Sequence, residues 1–176
     1  MQKQSLQQEK SIVLIGFMGV GKTTVGQRLA DQLKRTFVDI DEEIEKEFGM
    51  PPSDIFKVHG EKAFRQKEKE LIERYSRKSN KVLSLGGGAF LQTEVRDVCL
   101  ENCLVVFLSL SWEQWQERVS LIIDSRPVLQ GKSEEEMEQL YHDRQKIYGS
   151  HHIEVETDNK SVDDVAEEVI HKFTKM

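Results

Sequence analysis

At 176 residues the chain is long enough for one well-packed domain and short for two, and its 38% hydrophobic and 32% charged content is that of a soluble globular protein. A formal net charge of −6, with no lysine or arginine block, argues against a general nucleic-acid binder, and no apolar run approaches the roughly 20 residues that cross a bilayer. Cys99 and Cys103, the only cysteines, indicate neither a disulfide framework nor a structural zinc site and read as reduced, buried thiols.

Residues 1–10 are polar and Gln-rich, without the apolar core of a signal peptide or anchor, and are expected to form a disordered tail. Residues 12–15, Ile-Val-Leu-Ile, are a buried-strand signature; after a glycine-rich turn, Val25, Leu29 and Leu33 recur on one helix face. A short β-prone segment at 36–40 runs into Asp39-Ile40-Asp41, followed by a polar helix over 42–48 and a Gly-Met-Pro-Pro break at 49–52. Beyond a short segment at 53–58, a helix over about 60–77 carries Phe64, Leu71, Ile72 and Tyr75 on one side. The third strand, 81–85, delivers Gly86, Gly87 and Gly88, and a helix around 94–100 leads to the fourth strand, 104–109, the most apolar run in the chain.

Trp112, Trp115, Val119 and Ile122 fall at helical spacing and are expected to pack on the sheet as core. Residues 123–133 hold Arg126-Pro127 and Gly131-Lys132 and read as a loop. A helix over 134–148 has Ser133 as its N-cap and an acidic first turn; a fifth strand at 153–156 and a closing helix over 161–173 complete the chain. The five histidines fit no metal-ligand spacing and are read as structural. Alternating β and α elements imply an α/β fold: a five-stranded parallel sheet between two helical layers, with ligands at the carboxyl ends of the strands.

Three distinctive loops fall at such ends, so one cleft should collect them. Gly16, Gly21, Lys22 and Thr23 satisfy G-x-x-x-x-G-K-[ST] between a strand and a helix, the setting in which that pattern cradles a nucleoside triphosphate. The glycines let backbone N–H groups turn toward an anion, the helix N-terminus adds its dipole, Lys22 reaches the β and γ phosphates, and the Thr23 hydroxyl ligates Mg²⁺. Asp39 and Asp41, two apart, are expected to point to opposite sides of a strand end. Asp39 would then serve the metal with Thr23, and Asp41 a second substrate; alternatively, one of them caps the following helix. The glycine run at 86–88 is read as a ligand-facing loop offering close backbone approach. Arg65 and Arg144 lie at or in apolar stripes and need a carboxylate, either internal (Glu61 or Glu68) or on a substrate. Arg126 suits a lid folding over the phosphates, and Arg118 is placed on a solvated helix face.

With these residues in view the chain resembles the shikimate kinases. G-x-M-G-x-G-K-[ST] stands at 16–23, and D-x-D with an acidic helix at 39–47. G-E-x-x-F-R stands at Gly60, Glu61, Phe64 and Arg65, the triple glycine at 86–88, and R-P-L-L as Arg126-Pro127-Val128-Leu129. The resemblance runs from about residue 12 to the C-terminus. It departs from the family pattern after Arg144, with Lys146 in place of a proline and Ser150 in place of an acidic residue.

The resemblance implies one P-loop kinase domain over 11–176, with a substrate-binding segment at about 41–78 and a lid at about 122–133. It implies phosphorylation of the shikimate 3-hydroxyl by ATP, with Mg²⁺. Gly19, Val20, Gly21, Lys22, Thr23, Thr24 and Arg126 would hold ATP, and Thr23 and Asp39 the metal. Asp41, Arg65, Gly86, Gly87, Gly88 and Arg144 would hold shikimate; Lys22, Asp41 and Arg126 would be catalytic. A cytoplasmic monomer that binds ATP, ADP and shikimate, without nucleic acid or membrane, is expected. A gluconate-like or nucleoside monophosphate kinase, and a nucleotide-binding module without turnover, are the alternatives.

Overall fold

The structure is a computed structural model and describes residues 8–176. Its strands are β1 (Ile12–Ile15), β2 (Thr36–Asp39), β3 (Lys81–Ser84), β4 (Leu104–Ser109) and β5 (Ile153–Glu156). The helices are α1 (Lys22–Leu33), α2 (Ile40–Phe48), α3 (Pro52–Val58), α4 (Glu61–Ser76), α5 (Thr93–Asn102), α6 (Trp112–Ile122), α7 (Glu134–Tyr148) and α8 (Val162–Thr174).

The strands form one sheet in the order β2-β3-β1-β4-β5, every pairing parallel. β1 is buried along its whole length and β4 along all but its last residue, the pattern of a parallel sheet with helices on both faces. On one flank α1 packs against α8; elsewhere α4 lies against α2 and α5. Ser84 pairs with both Leu14 and Asp39, so β1, β2 and β3 end at nearly the same level and release their loops onto one rim. That rim flanks β1, where successive connections leave in opposite directions, the usual position for a ligand in such sheets.

Several expectations shift at their boundaries for local reasons. The second strand stops at Asp39, whose carboxylate accepts the Glu42 N–H at 3.3 Å and starts α2 at Ile40, so Asp41 is helical. The segment at 53–58 is a helix, entered through Pro52, whose fixed φ and missing N–H suit a first turn. The expected loop at 123–133 contains two short 3₁₀ turns, Ile123–Ser125 and Pro127–Leu129, with Leu129 fully buried. Ser133 and Glu136 form a reciprocal capping box at the start of α7, as Ser161 and Asp164 do for α8.

Most of the expected tail, residues 1–7, lies outside the described residues. Residues 8–10 are instead tied to the body: Asn80 N–H donates to Glu9 O at 2.9 Å, and Arg35 donates to Lys10 O at 2.7 Å and to Gln8 O. Cys99 and Cys103 are buried free thiols, and burial pushes Cys103 up to about 12. Among the described residues no helix is long and apolar enough to cross a membrane.

Candidate active site

The loop between β1 and α1 is held from outside. Gly19 and Gly21 adopt φ of +83° and +101°, which side chains rarely tolerate. Trp115, fully buried in α6, donates its indole N–H to Met18 O at 2.8 Å and stands edge-on to Phe17, with ring centroids 5.1 Å apart. Arg118 places Nη1 3.4 Å from both Gly19 O and Val20 O. The aromatic end of α6 packs as core, as expected, and in addition braces the phosphate loop, whereas Arg118, assigned to a solvated face, reaches the loop backbone. Its signal was present in the spacing, since Arg118 lies three residues after inward-facing Trp115 and four before Ile122.

Inside the loop, Lys22 is buried and donates to Gly16 O at 2.7 Å and Phe17 O at 3.2 Å. Burial, and then the nearby charge of Arg126, push its ammonium down to about 7, while Asp41 and Asp39 act the other way. Thr23 Oγ1 donates to Asp39 Oδ2 at 2.9 Å, so Asp39 both caps α2 and stands beside the loop hydroxyl. The capping reading of Asp39 is therefore met, and its carboxylate also stands next to Thr23. The expected division of the two aspartates across a strand end is not met: Asp41, in the first turn of α2, faces the same cavity as Asp39.

That cavity, about 430 Å³, is walled by Lys22, Thr23, Asp39, Asp41, Gly86 and Arg126 among others. Gly19, Val20, Gly21 and Thr24 are not on its wall. A smaller chamber of about 50 Å³ adjoins it, sharing Met18, Asp41, Pro52, Gly86, Gly87 and Arg126. Its further wall is Arg65, Glu68, Gly88 and Arg144 with Phe56, Phe64, Pro127 and Val128. The structure thus brings together Lys22, Thr23, Asp39, Asp41, Arg65, Gly86 to Gly88, Arg126 and Arg144 along two joined chambers.

The chamber boundary is an ion pair. Arg126, from the turn region after α6, sets Nη1 3.4 Å from Asp41 Oδ2. Burial raises the Asp41 carboxyl above the ordinary range, and Asp39 adds to this, against the opposing pull of Arg126 and Lys22. At the far end Arg65 Nη1 donates to Glu68 Oε1 at 2.9 Å, and Glu61 Oε1 lies 3.6 Å from Arg65 Nε. Both internal partners weighed for Arg65 are therefore in place. Arg144 is buried beside Arg65, and burial followed by that like charge makes its own charge costly. Tyr148 donates its hydroxyl to Gly87 O at 2.5 Å and fixes the middle of the glycine run.

The glycines serve mainly as space. A Cβ on Gly86 would lie 2.9 Å from Asp41 Oδ1, and one on Gly88 would lie 2.6 Å from Arg65 Nη2. Glu68 is the residue sequence reasoning underrated. It sits fully buried on the Phe64–Leu71–Ile72 face, and burial pushes it up to about 7 despite Arg65. Among the described residues, the buried side-chain polar atoms without a hydrogen-bond partner are Glu68 Oε2, Arg126 Nε and Arg144 Nε, and all three residues line the smaller chamber. Such groups normally find partners, so their convergence marks a place for a polar, anionic ligand.

The comparisons with known proteins agree with this geometry. The family model described as shikimate kinase matches residues 18–174. Shikimate kinase of Oceanobacillus iheyensis is 55% identical over 159 residues, covering 90% of this chain and 87% of that protein. Shikimate kinase of Bacillus subtilis is 53% identical over 163 residues, covering 92% and 88%. The solved structure of shikimate kinase from Acinetobacter baumannii in complex with shikimate superposes with a TM-score of 0.90 at 32% identity, covering 98% of this chain and 97% of that one. Motif order, chamber geometry and overall superposition converge, and the chain belongs to the shikimate kinase family.

Proposed function

We infer that the protein transfers the γ-phosphoryl group of ATP to the 3-hydroxyl of shikimate, giving shikimate 3-phosphate and ADP, on the route to chorismate and the aromatic amino acids. The observation that carries this reading is the two-chamber cavity, in which a phosphate loop adjoins, through one shared carboxylate, Asp41, a pocket lined by three arginines, two of which keep a buried Nε without a partner.

The triphosphate would lie along the loop from Gly19 to Thr24, with Lys22 on its β and γ oxygens. Arg126 leaves Asp41 to join the transferred phosphoryl group, stabilising charge that grows in the transition state. Arg65 and Arg144 clamp the substrate carboxylate, where a planar guanidinium outperforms an ammonium, and Gly86 to Gly88 let the ring approach the backbone. Asp41 then orients the attacking hydroxyl and accepts its proton late; burial raises its carboxyl above the ordinary range, which makes it a stronger base than an exposed aspartate. The turns carrying Arg126, Pro127 and Val128 form a lid that excludes water, the competing acceptor.

Mg²⁺ fits the oxygen donors present. Thr23 and Asp39 supply a hydroxyl and a carboxylate 2.9 Å apart on the cavity wall. No cluster of three or more His, Cys, Asp or Glu that could hold a metal occurs among the described residues, which suits an ion that arrives with phosphate oxygens. When bound, it neutralises charge between the β and γ phosphates. The protein is proposed to act as a cytoplasmic monomer. A coupled ADP assay tests the reading: release of ADP should depend on shikimate and fail with gluconate or nucleoside monophosphates. Shikimate-independent ADP release, or binding of ATP without turnover, would remove it.

A further inference from the structure

A second carboxylate partner stands behind Arg65. Gln92 leaves the 3₁₀ turn Ala89–Leu91 that follows the glycine run, and its backbone is fixed on both sides. Its N–H donates to Ala89 O at 3.2 Å, and its carbonyl accepts from Arg96 N–H at 3.1 Å at the start of α5. From this anchored position its side-chain amide reaches α4 and donates from Nε2 to Glu68 Oε1 at 3.1 Å. That oxygen is the one that accepts Arg65 Nη1 at 2.9 Å. The two donors converge on one oxygen of a fully buried carboxylate, while Oε2 has no partner.

Such a carboxylate is poorly placed without them. Burial pushes Glu68 up to about 7, and the neighbouring Asp41 pushes the same way, while Arg65 and then Gln92 pull it down. Arg144, from α7, faces the same chamber and also feels Glu68; Glu61, on α4, is 3.6 Å from the Arg65 guanidinium. Among these groups Gln92 is a donor that carries no charge. It favours the ionised, Arg65-holding form of Glu68 without competing for the anion that Arg65 and Arg144 face.

We propose that Gln92 is a positioning residue for the substrate-carboxylate site: it fixes the Glu68 carboxylate, which in turn aims the Arg65 guanidinium into the smaller chamber beside Gly88. The proposal rests on the reading of that chamber as the shikimate pocket. The side-chain amide of Gln92 is bonded to Glu68, which lines the smaller chamber and not the larger cavity, so its influence is expected on one substrate and not the other.

The test compares Gln92→Leu, which keeps the volume and removes the donor, Gln92→Asn, one methylene too short to reach, and Gln92→His, which retains a ring N–H donor. Steady-state kinetics should show KM for shikimate raised about five- to tenfold in the first two, as befits one weakened hydrogen bond, with KM for ATP and kcat within about twofold and recovery in Gln92→His. Carbon-detected NMR of the Glu68 carboxyl should show its titration midpoint move up by about half a unit or more in Gln92→Leu and Gln92→Asn, a shift a merely structural cap would not produce. An unmoved midpoint, or a moved midpoint with unchanged KM for shikimate, overturns the proposal. If the unmodified enzyme turns over no shikimate, it is the proposed function that fails, and the titration alone then decides whether Gln92 governs Glu68. Asn is a good helix-cap residue, so Gln92→Asn keeps the test open should Gln92→Leu not fold.

Discussion

Replacing Gly88 by alanine tests how tightly the glycine run and Arg65 are fitted together. Gly88 has φ −103° and ψ 1°, a conformation alanine adopts, so the substitution introduces no appreciable backbone strain. The new methyl would, however, lie 2.6 Å from Arg65 Nη2 and 3.0 Å from its Cζ and Nη1. Restoring van der Waals contact requires the guanidinium to withdraw by roughly 1 Å, because carbon and nitrogen atoms settle near 3.5–4 Å. An arginine head ordinarily yields easily, but this one is held at 2.9 Å by a fully buried carboxylate. A retreat of that size breaks the charged hydrogen bond, worth roughly 1.5–3 kcal/mol, less the relief available because Glu68 protonates near neutrality. A stability loss of about 1–2 kcal/mol is expected by denaturant titration, and, with one of the two arginines proposed to bind the substrate carboxylate misplaced, a 10- to 100-fold rise in KM for shikimate. KM for ATP should stay near normal, since Gly88 lines only the smaller chamber. In an Arg65→Ala background the same substitution should cost almost nothing more, because the clashing atoms are gone. A near-normal KM for shikimate in Gly88→Ala, or an undiminished cost in the Arg65→Ala background, refutes the fit described here.

Asp41→Asn should lower kcat by about 10²- to 10⁴-fold while leaving ATP affinity nearly intact; near-normal turnover would remove Asp41 from the proton-accepting role. Glu68 bears on stability against pH. Its folded pKa is raised to about 7 from an ordinary 4.5, so the folded state binds the extra proton between these values, and its contribution, fully present below 4.5, is lost as pH rises through about 7. The span corresponds to an order of 3 kcal/mol, so Glu68→Gln should flatten the decline in unfolding free energy over that window; an unchanged pH profile would show that Glu68 does not titrate there. Lys22, lowered to about 7, should regain its proton when phosphate oxygens meet it. Calorimetry in buffers of differing ionisation enthalpy should record proton uptake on ATP binding near pH 8 and little near pH 6, and none in Lys22→Arg; equal uptake in that variant would assign the proton elsewhere.

What the sequence made legible is what is local. β4, α7 and β5 begin and end where periodicity and the Ser133 cap place them, because their signals lie within the elements themselves. The phosphate loop is equally local, being one strand, one turn and one helix start. Asp41 shows where this stops. A D-x-D reading that follows strand alternation puts the two carboxylates on opposite sides. Capping by Asp39 ends the strand at once and rotates Asp41 into the first helical turn, toward the same cavity. Two signals competed within three residues, and the cap won because it satisfies a helix N–H that would otherwise lack a partner.

The parts of the site that periodicity left undetermined share a different property: their meaning depends on a partner far along the chain. Glu68 is four residues from Phe64 and four from Ile72, so its inward direction was readable, but a buried carboxylate is tolerable only with donors, and one of these, Gln92, comes from 24 residues away. Arg118 was likewise readable as inward-facing from Trp115, yet its acceptors are the Gly19 and Val20 carbonyls, 99 and 98 residues earlier. The glycines at 86–88 looked like a source of backbone donors because glycine permits close approach. Their neighbours across the fold, the Asp41 carboxylate and the Arg65 guanidinium, show that the approach they permit is first of all to the protein's own charged side chains. A sheet order of β2-β3-β1-β4-β5 is what converts these separations into contacts, by bringing the ends of β1, β2 and β3 level at one rim. Local propensity can place each residue on a face, but only topology decides which faces meet, and the chemistry proposed for Asp41, Arg65 and Arg126 depends on that second step.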